Sequence, residues 1–128
     1  MQKKTKYFIL FIILLIALVI VFGFLTGAKT KPSGKLDGFA QCISNSGAKF
    51  YGAFWCSHCQ AQKKAFGSSV EYLPYVECSS ADGKSQEQVC VDAGIESYPT
   101  WKFADGTELS GELSFETLSQ KTGCALPQ

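Results

Sequence analysis

The sequence predicts an α/β domain, with a mixed central sheet and helices on both faces, preceded by one N-terminal transmembrane helix. Three observations predict this: an uncharged apolar run near the N-terminus, a following alternation of helical and strand-like segments, and a closing hairpin and helix. Once the apolar run and its tether are set aside, roughly 95 residues are left, which is enough for one small domain.

The apolar run covers residues 7–25, YFILFIILLIALVIVFGFL, and contains no charge. At about 1.5 Å per residue it reaches nearly 30 Å, the thickness of the hydrocarbon core of a bilayer. It is apolar all round, unlike a core helix, and it is longer than the roughly 7–15 apolar residues of a signal peptide. It therefore predicts an uncleaved signal-anchor. A cleaved signal peptide is the alternative, because residues 26–28 are small enough for a cleavage site.

Lysines lie on both sides of this run: Lys3, Lys4 and Lys6 before it, and Lys29, Lys31 and Lys35 after it. The distribution of lysines alone therefore does not choose between the two membrane orientations of this run. The first cluster, with the free amino terminus, favours a cytoplasmic segment over residues 1–6. Six cysteines favour an oxidising compartment for the domain. We expect a single-pass cell-membrane protein with a linker over residues 26–35 and an extracytoplasmic domain, periplasmic or extracellular, over residues 36–128.

Within the domain, helix formers, apolar runs and glycine stops predict the order of the elements. Helices are expected over residues 36–45, 56–66, 85–93 and 115–122, and strands over residues 49–55, 74–78, 100–103 and 107–109. Asp105-Gly106 predicts the hairpin between the last two strands. Ser114 and Gly123 are the expected caps of the last helix.

The segment Trp55-Cys56-Ser57-His58-Cys59 lies where the first strand gives way to a helix. Free N–H groups and the helix dipole favour negative charge on Cys56, and a thiolate is the nucleophile of disulfide exchange. Cys59, one turn later, can close a disulfide and resolve a mixed disulfide. Ser57 and His58 are expected to tune the redox potential. Stabilisation of the thiolate by His58 favours an oxidase or isomerase over a reductase.

The composition argues against two other classes of protein. All 12 basic residues are lysines and the net charge is +1, so nucleic-acid binding is not expected. One histidine and one C-x-x-C supply too few ligands for a structural zinc site, so we expect disulfides, no resident metal and no cofactor. A copper-handling protein that uses Cys56, His58 and Cys59 is the alternative, since such soft ligands suit Cu(I).

Tyr98-Pro99 precedes the third predicted strand. A cis bond there would leave the preceding backbone free to pair with an incoming peptide. The alternative is a trans proline that starts a strand. We expect Trp55, Tyr98 and Pro99 to contact substrate, with Trp55 as a surface platform.

Taken together, FYGAFWCSHCQAQKKAFG, PYVEC, a cysteine before AGI, and SYPTW resemble the thioredoxin superfamily. Within it, they most resemble the thioredoxin-like domain associated with bacterial vitamin K epoxide reductase homologues. The resemblance covers residues 36–123. It implies a redox-active pair at Cys56 and Cys59, a cis-proline at Pro99, and a disulfide between Cys78 and Cys90. Ser57 departs from the proline that related domains often carry, which leaves the redox potential open.

The resemblance also implies a function. We expect a thiol–disulfide oxidoreductase that supports oxidative protein folding, acts on substrate protein thiols, and is reoxidised by a quinone-linked membrane partner of the vitamin K epoxide reductase type. An extracytoplasmic thiol reductase is an alternative, as is the copper-handling protein on the same fold. Elimination leaves Cys42 and Cys124 as a pair that joins the ends of the domain. Each could instead be free or bonded to a partner protein, and Cys78–Cys90 could instead relay oxidation.

Overall fold

A computed structural model of the protein describes residues 2–25 and 34–126. The chain divides into an N-terminal unit and a domain. Helix α1 (Gln2–Leu25) forms the first unit; its segment Gln2–Phe22 has a mean hydropathy of 2.8 and none of it is buried. By length and composition it can cross a membrane, as a signal sequence at this position also could. Residues 26–33 of the predicted linker, with the small residues at 26–28, lie outside the described residues, as do the last two residues of the predicted domain.

The domain contains four helices, a 3₁₀ helix and four strands among its described residues, 34–126. They are α2 (Asp37–Asn45), β1 (Lys49–Gly52), α3 (Ser57–Phe66), the 3₁₀ helix (Gly67–Tyr72), β2 (Tyr75–Glu77), α4 (Gln88–Asp92), β3 (Thr100–Lys102), β4 (Glu108–Ser110) and α5 (Phe115–Thr122). The sheet order is β2-β1-β3-β4, with β1 parallel to β2 and the other pairs antiparallel. The predicted mixed sheet is confirmed.

Strand β1 separates two apolar clusters, because successive side chains of a strand point to opposite faces. Phe50 is fully buried in the larger cluster, which includes residues of α2, α3 and α5. Tyr51, the next residue, packs against the smaller cluster, which includes Cys90 of α4. The prediction of helices on both faces is therefore confirmed.

Two predicted elements are wrong in length. The strand expected over residues 49–55 ends at Gly52, because the chain turns there and Cys56 N donates to Ala53 O at 3.0 Å. The helix expected over residues 85–93 covers only Gln88–Asp92. Its first residues instead form a β-bridge, in which Gln86 pairs with Ser79. The 3₁₀ helix was not predicted.

Two disulfides cross-link the domain. Cys42 of α2 bonds to Cys124, just beyond α5, and the bond encloses a sequence separation of 82 residues. Cys78, which follows β2, bonds to Cys90 of α4 across a separation of 12 residues. The first bond joins the two ends of the domain, and the second holds the loop between β2 and α4.

Candidate active site

Cys56 is the N-cap of α3. Its backbone is extended, with φ −75° and ψ 117°, and its Sγ accepts a hydrogen bond from Cys59 N at 3.2 Å. A sulfur that accepts an N–H at the start of a helix carries negative charge at low cost. Both cysteines are free thiols; Cys56 is 8% exposed and Cys59 is 0% exposed. An incoming sulfur can therefore reach Cys56 and not Cys59.

Gly52 makes room for Cys59. A Cβ at this glycine would lie 2.9 Å from Cys59 Sγ and 3.0 Å from Tyr75 Cε2. A side chain at position 52 would therefore push either the sulfur or the aromatic ring out of place. Gly52 was not among the predicted site residues, although a glycine inside a predicted strand is a known sign of close backbone approach.

Burial, the hydrogen bond to Cys56 and the charge of Cys56 together raise the pKa of Cys59 to about 12. The positive charge of Lys63 acts against this rise. Cys59 is therefore a protonated thiol at neutral pH when the pair is reduced. It must lose that proton before it can attack a disulfide.

A partly buried cluster of charge lies beside Cys59. Lys63 stands one helical turn after Cys59, and its Nζ lies 3.2 Å from the centroid of the Tyr75 ring. Tyr75 Oη donates to Glu77 Oε2 at 2.8 Å. Burial lowers the pKa of Lys63, and burial followed by the bond to Glu77 raises the pKa of Tyr75. This arrangement places the Lys63 ammonium close to Cys59, the thiol that must ionise.

Glu77 also holds the loop before the reactive pair. Its Oε1 accepts from Phe54 N at 3.1 Å and from Ser79 N at 3.0 Å. The end of β2 is thereby fastened to the turn that leads into Cys56. The sequence did not predict Glu77, because its partners Phe54 and Ser79 lie outside β2, nor did it predict the contact between Lys63 and the Tyr75 ring.

The residues expected to contact substrate lie together. Trp55 is 53% exposed, its Nε1 donates to Ser79 Oγ at 2.8 Å, and its ring meets the Tyr98 ring edge-on with centroids 5.9 Å apart. The Tyr98–Pro99 bond is cis. Trp55 and Tyr98 line a groove of about 530 Å³, and Ser79, Gln86 and Ile95 also line it. The groove therefore begins beside the reactive turn.

The two residues between the cysteines are exposed. His58 Nδ1 lies 2.7 Å from Glu112 Oε1, a contact that the sequence analysis did not anticipate. In the described residues 2–25 and 34–126, no group of three or more His, Cys, Asp or Glu side chains is placed to hold a metal ion. Cys56, His58 and Cys59 do not form such a group in this conformation.

The other four cysteines lie outside the reactive turn, in the two disulfides. Cys78 and Cys90 are both fully buried, and Cys78 lines the groove together with Trp55. Cys124 is 2% exposed. The structure therefore contains one pair of free thiols, Cys56 and Cys59, and two disulfides.

Comparison with known proteins identifies the family. The family model described as "Thioredoxin" matches residues 38–121, which include the reactive turn and Tyr98-Pro99. A relative named "Thiol-disulfide oxidoreductase LTO1", from Arabidopsis thaliana, is 40% identical over 109 residues, which are 82% of this chain and 29% of the relative. A "Probable protein disulfide-isomerase ER-60" from Schistosoma mansoni is 34% identical over 68 residues, which are 50% of this chain and 14% of the relative. This chain spans less than a third of the length of either relative, and it belongs to the thioredoxin family.

Proposed function

We propose that this protein is a membrane-anchored thiol–disulfide oxidoreductase that exchanges disulfides with substrate proteins through Cys56 and Cys59. One observation carries the proposal: two free cysteines lie one turn apart at the start of α3, and Cys56 Sγ accepts the Cys59 N–H. Membership of the thioredoxin family supports it, as do two relatives whose names describe thiol–disulfide oxidation or isomerisation.

In the oxidising direction, the enzyme starts with a bond between the two sulfurs. A substrate thiolate attacks Cys56 Sγ, the Cys56–Cys59 bond breaks, and Cys59 leaves and takes up a proton. A second substrate thiolate then attacks the substrate sulfur of the mixed disulfide, and Cys56 leaves as a thiolate. The substrate loses two electrons and gains a disulfide, and the enzyme disulfide gains the two electrons and becomes a dithiol.

The environment of each sulfur fits its proposed role. Cys56 is the more accessible sulfur, and the N-terminus of α3 stabilises it as a leaving group. Burial raises the pKa of Cys59 to about 12, so Cys59 is readily protonated once it leaves. In the reverse direction Cys59 must ionise first, and the nearby Lys63 ammonium favours that step.

We further propose that the groove beside Trp55 receives an extended segment of the substrate. Trp55 offers an exposed aromatic surface, and Tyr98 and Pro99 present backbone beside it. A flat, partly apolar platform suits substrates that differ in sequence, because it makes few specific polar demands.

The location and the partner are also part of the proposal. Helix α1 is long and apolar enough to act as a single-pass anchor, with residues 1–6 on the cytoplasmic side. Two disulfides suit an extracytoplasmic compartment, which keeps such bonds oxidised. A quinone-linked membrane oxidase of the vitamin K epoxide reductase type is the proposed acceptor of electrons from reduced Cys56 and Cys59, in keeping with the resemblance of the sequence.

The test is the oxidation of a reduced dithiol peptide by the full chain in detergent micelles, with glutathione disulfide as the final oxidant. We expect catalysed oxidation by the native protein and the uncatalysed rate with Cys56→Ser. Lys64→Ala is the matched control, because Lys64 is exposed on the same helix and belongs to no contact of the site. Turnover by Cys56→Ser equal to that of the native protein would contradict the proposal.

The two alternatives predict other results. A reduction potential of about −120 to −180 mV supports an oxidase or isomerase, and one near about −270 mV supports a reductase. A copper-handling protein would bind copper tightly and stoichiometrically after reduction and would show no dithiol turnover. Metal analysis of the same preparation separates that case from the proposed one.

A further inference from the structure

The first turn of α3 carries a histidine that is bonded to a carboxylate, and the proposed exchange reaction gives this contact no role. His58 Nδ1 lies 2.7 Å from Glu112 Oε1, and the two residues are 54 positions apart in the chain. Glu112 stands in the segment between β4 and α5. His58 is two residues after Cys56, so this carboxylate contacts the helical turn that Cys56 caps.

Gln62 fixes the segment that bears Glu112. Gln62 lies one turn after His58 on α3 and is 2% exposed. Its Oε1 accepts from Leu113 N at 2.7 Å, and its Nε2 donates to Leu113 O at 3.2 Å. A buried amide that satisfies both backbone groups of one residue holds that residue firmly, since loss of either bond would leave a polar group unpaired. The place of Glu112 beside His58 is therefore built into the packing of α3.

This carboxylate changes the effect of His58 on Cys56. A protonated histidine close to Cys56 stabilises the thiolate, and therefore the reduced form. A carboxylate bonded to that imidazole offsets the positive charge that a protonated ring presents to Cys56. Any negative charge on Cys56 belongs to the reduced pair alone, because the disulfide carries none. Glu112 consequently favours the disulfide form over the dithiol.

We propose that Glu112 is a positioning residue that holds the His58 ring and offsets its effect on Cys56, and thereby makes the Cys56–Cys59 disulfide a weaker oxidant than His58 alone would make it. The inference rests on the proposed function, because it concerns the redox equilibrium of the same pair. The presence of His58 between the cysteines therefore does not by itself indicate a strongly oxidising potential. The reduction potential depends on Glu112 as well as on His58.

The equilibrium with glutathione measures this effect. Two glutathione thiols lose two electrons and form glutathione disulfide, while the Cys56–Cys59 bond breaks and both sulfurs are reduced. The full chain in detergent micelles is equilibrated at pH 7 in glutathione buffers of graded ratio, and the oxidised fraction is read by mass spectrometry after alkylation. This constant depends on charge at the reduced pair, which a merely structural role of Glu112 would not move.

We expect Glu112→Gln to shift the constant toward the reduced protein by about threefold to fivefold, which equals about 14 to 21 mV at 29.6 mV per tenfold change. The effect is modest because both side chains are largely exposed, at 70% for His58 and 45% for Glu112. Glu112→Ala should shift the constant in the same direction. Glu116→Gln, on α5 and also exposed, is the matched control and should leave it unchanged.

A His58→Gln background tests whether the effect passes through the histidine. There, Glu112→Gln should shift the constant by less than half as much on a logarithmic scale. The inference is overturned if Glu112→Gln leaves the constant unchanged or moves it toward the oxidised protein, or if its effect is the same without His58. A native protein that never equilibrates with glutathione overturns the proposed function instead, so the two failures are distinct.

Discussion

The Cys56/Cys59 pair directly follows Trp55 in the chain, and Cys78 of the Cys78–Cys90 disulfide lines the groove together with Trp55, yet the surroundings of the two pairs differ. Cys56 stands at the start of a helix and keeps an exposed edge, and Cys59 adjoins a lysine. Cys78 and Cys90 are both fully buried in a small apolar cluster. The difference teaches that access and nearby charge, rather than the presence of two sulfurs, separate a reactive pair from a structural one.

The largest expected effects are on the free energy of unfolding, and they come from removal of the two disulfides. In the chain-entropy model, a separation of 82 residues gives about 4.5 kcal/mol for Cys42–Cys124, and one of 12 residues gives about 3 kcal/mol for Cys78–Cys90. Replacing both cysteines of a pair by serine should lower the free energy of unfolding by about these amounts, measured by urea denaturation. Replacing Cys56 and Cys59 together should change it by less than about 1 kcal/mol, relative to the reduced native protein.

The Cys78–Cys90 variant also tests whether this disulfide is only structural or takes part in the exchange reaction. Cys78→Ser with Cys90→Ser should leave dithiol exchange within a few-fold of the native rate under conditions where the domain is folded. Loss of exchange by folded protein would show that Cys78–Cys90 relays oxidation, which was the alternative role left open by the sequence.

The next effect concerns pH. Burial is the largest cause that raises the pKa of Cys59, and it remains when Cys56 is held in a mixed disulfide, so below that raised pKa the thiolate fraction of Cys59 grows about tenfold per pH unit. The rate at which Cys59 releases a thiol from a preformed mixed disulfide on Cys56 should therefore keep rising from pH 6 to pH 10. Stopped-flow release of a chromophoric thiol measures it. A plateau near pH 9 would indicate an ordinary thiol and contradict the role of burial.

The smallest effect concerns the lysine. Lys63→Met removes the cation that favours ionisation of Cys59, and we expect the same release step to slow by about threefold to tenfold at pH 7. Lys64→Met is the matched control, because the neighbouring lysine is exposed and should have no effect. Equal slowing by both variants would mean that general charge, rather than the position of Lys63, is responsible.

Local sequence patterns predicted the parts of the fold whose causes are local. The C-x-x-C at a strand–helix junction, the Asp105-Gly106 hairpin and the last helix after Ser114 all appear in the structure. The strand over residues 49–55 was too long, because apolar composition cannot show that the chain turns at Ala53. The helix over residues 85–93 was too long, because the pairing of Gln86 with Ser79 depends on the loop as a whole.

The contacts that surround the reactive cysteines were harder to predict from the sequence than the helices and strands were. Glu77 reaches Phe54 N across 23 positions, and Glu112 reaches His58 across 54. No periodicity or spacing rule connects residues so far apart, because the sheet and the packing of α3 bring them together. Gly52 is the exception: its place in a predicted strand was a usable signal of close approach to Cys59.

The central claim is that Cys56 receives the attack and Cys59 resolves it, and trapping tests it most directly. Cys59→Ser and Cys56→Ser proteins are each incubated with a reduced substrate protein and glutathione disulfide, quenched with acid, and examined on non-reducing gels. The account predicts a mixed disulfide between substrate and Cys56 that accumulates in Cys59→Ser and is absent from Cys56→Ser. Accumulation in Cys56→Ser, through Cys59, would contradict it.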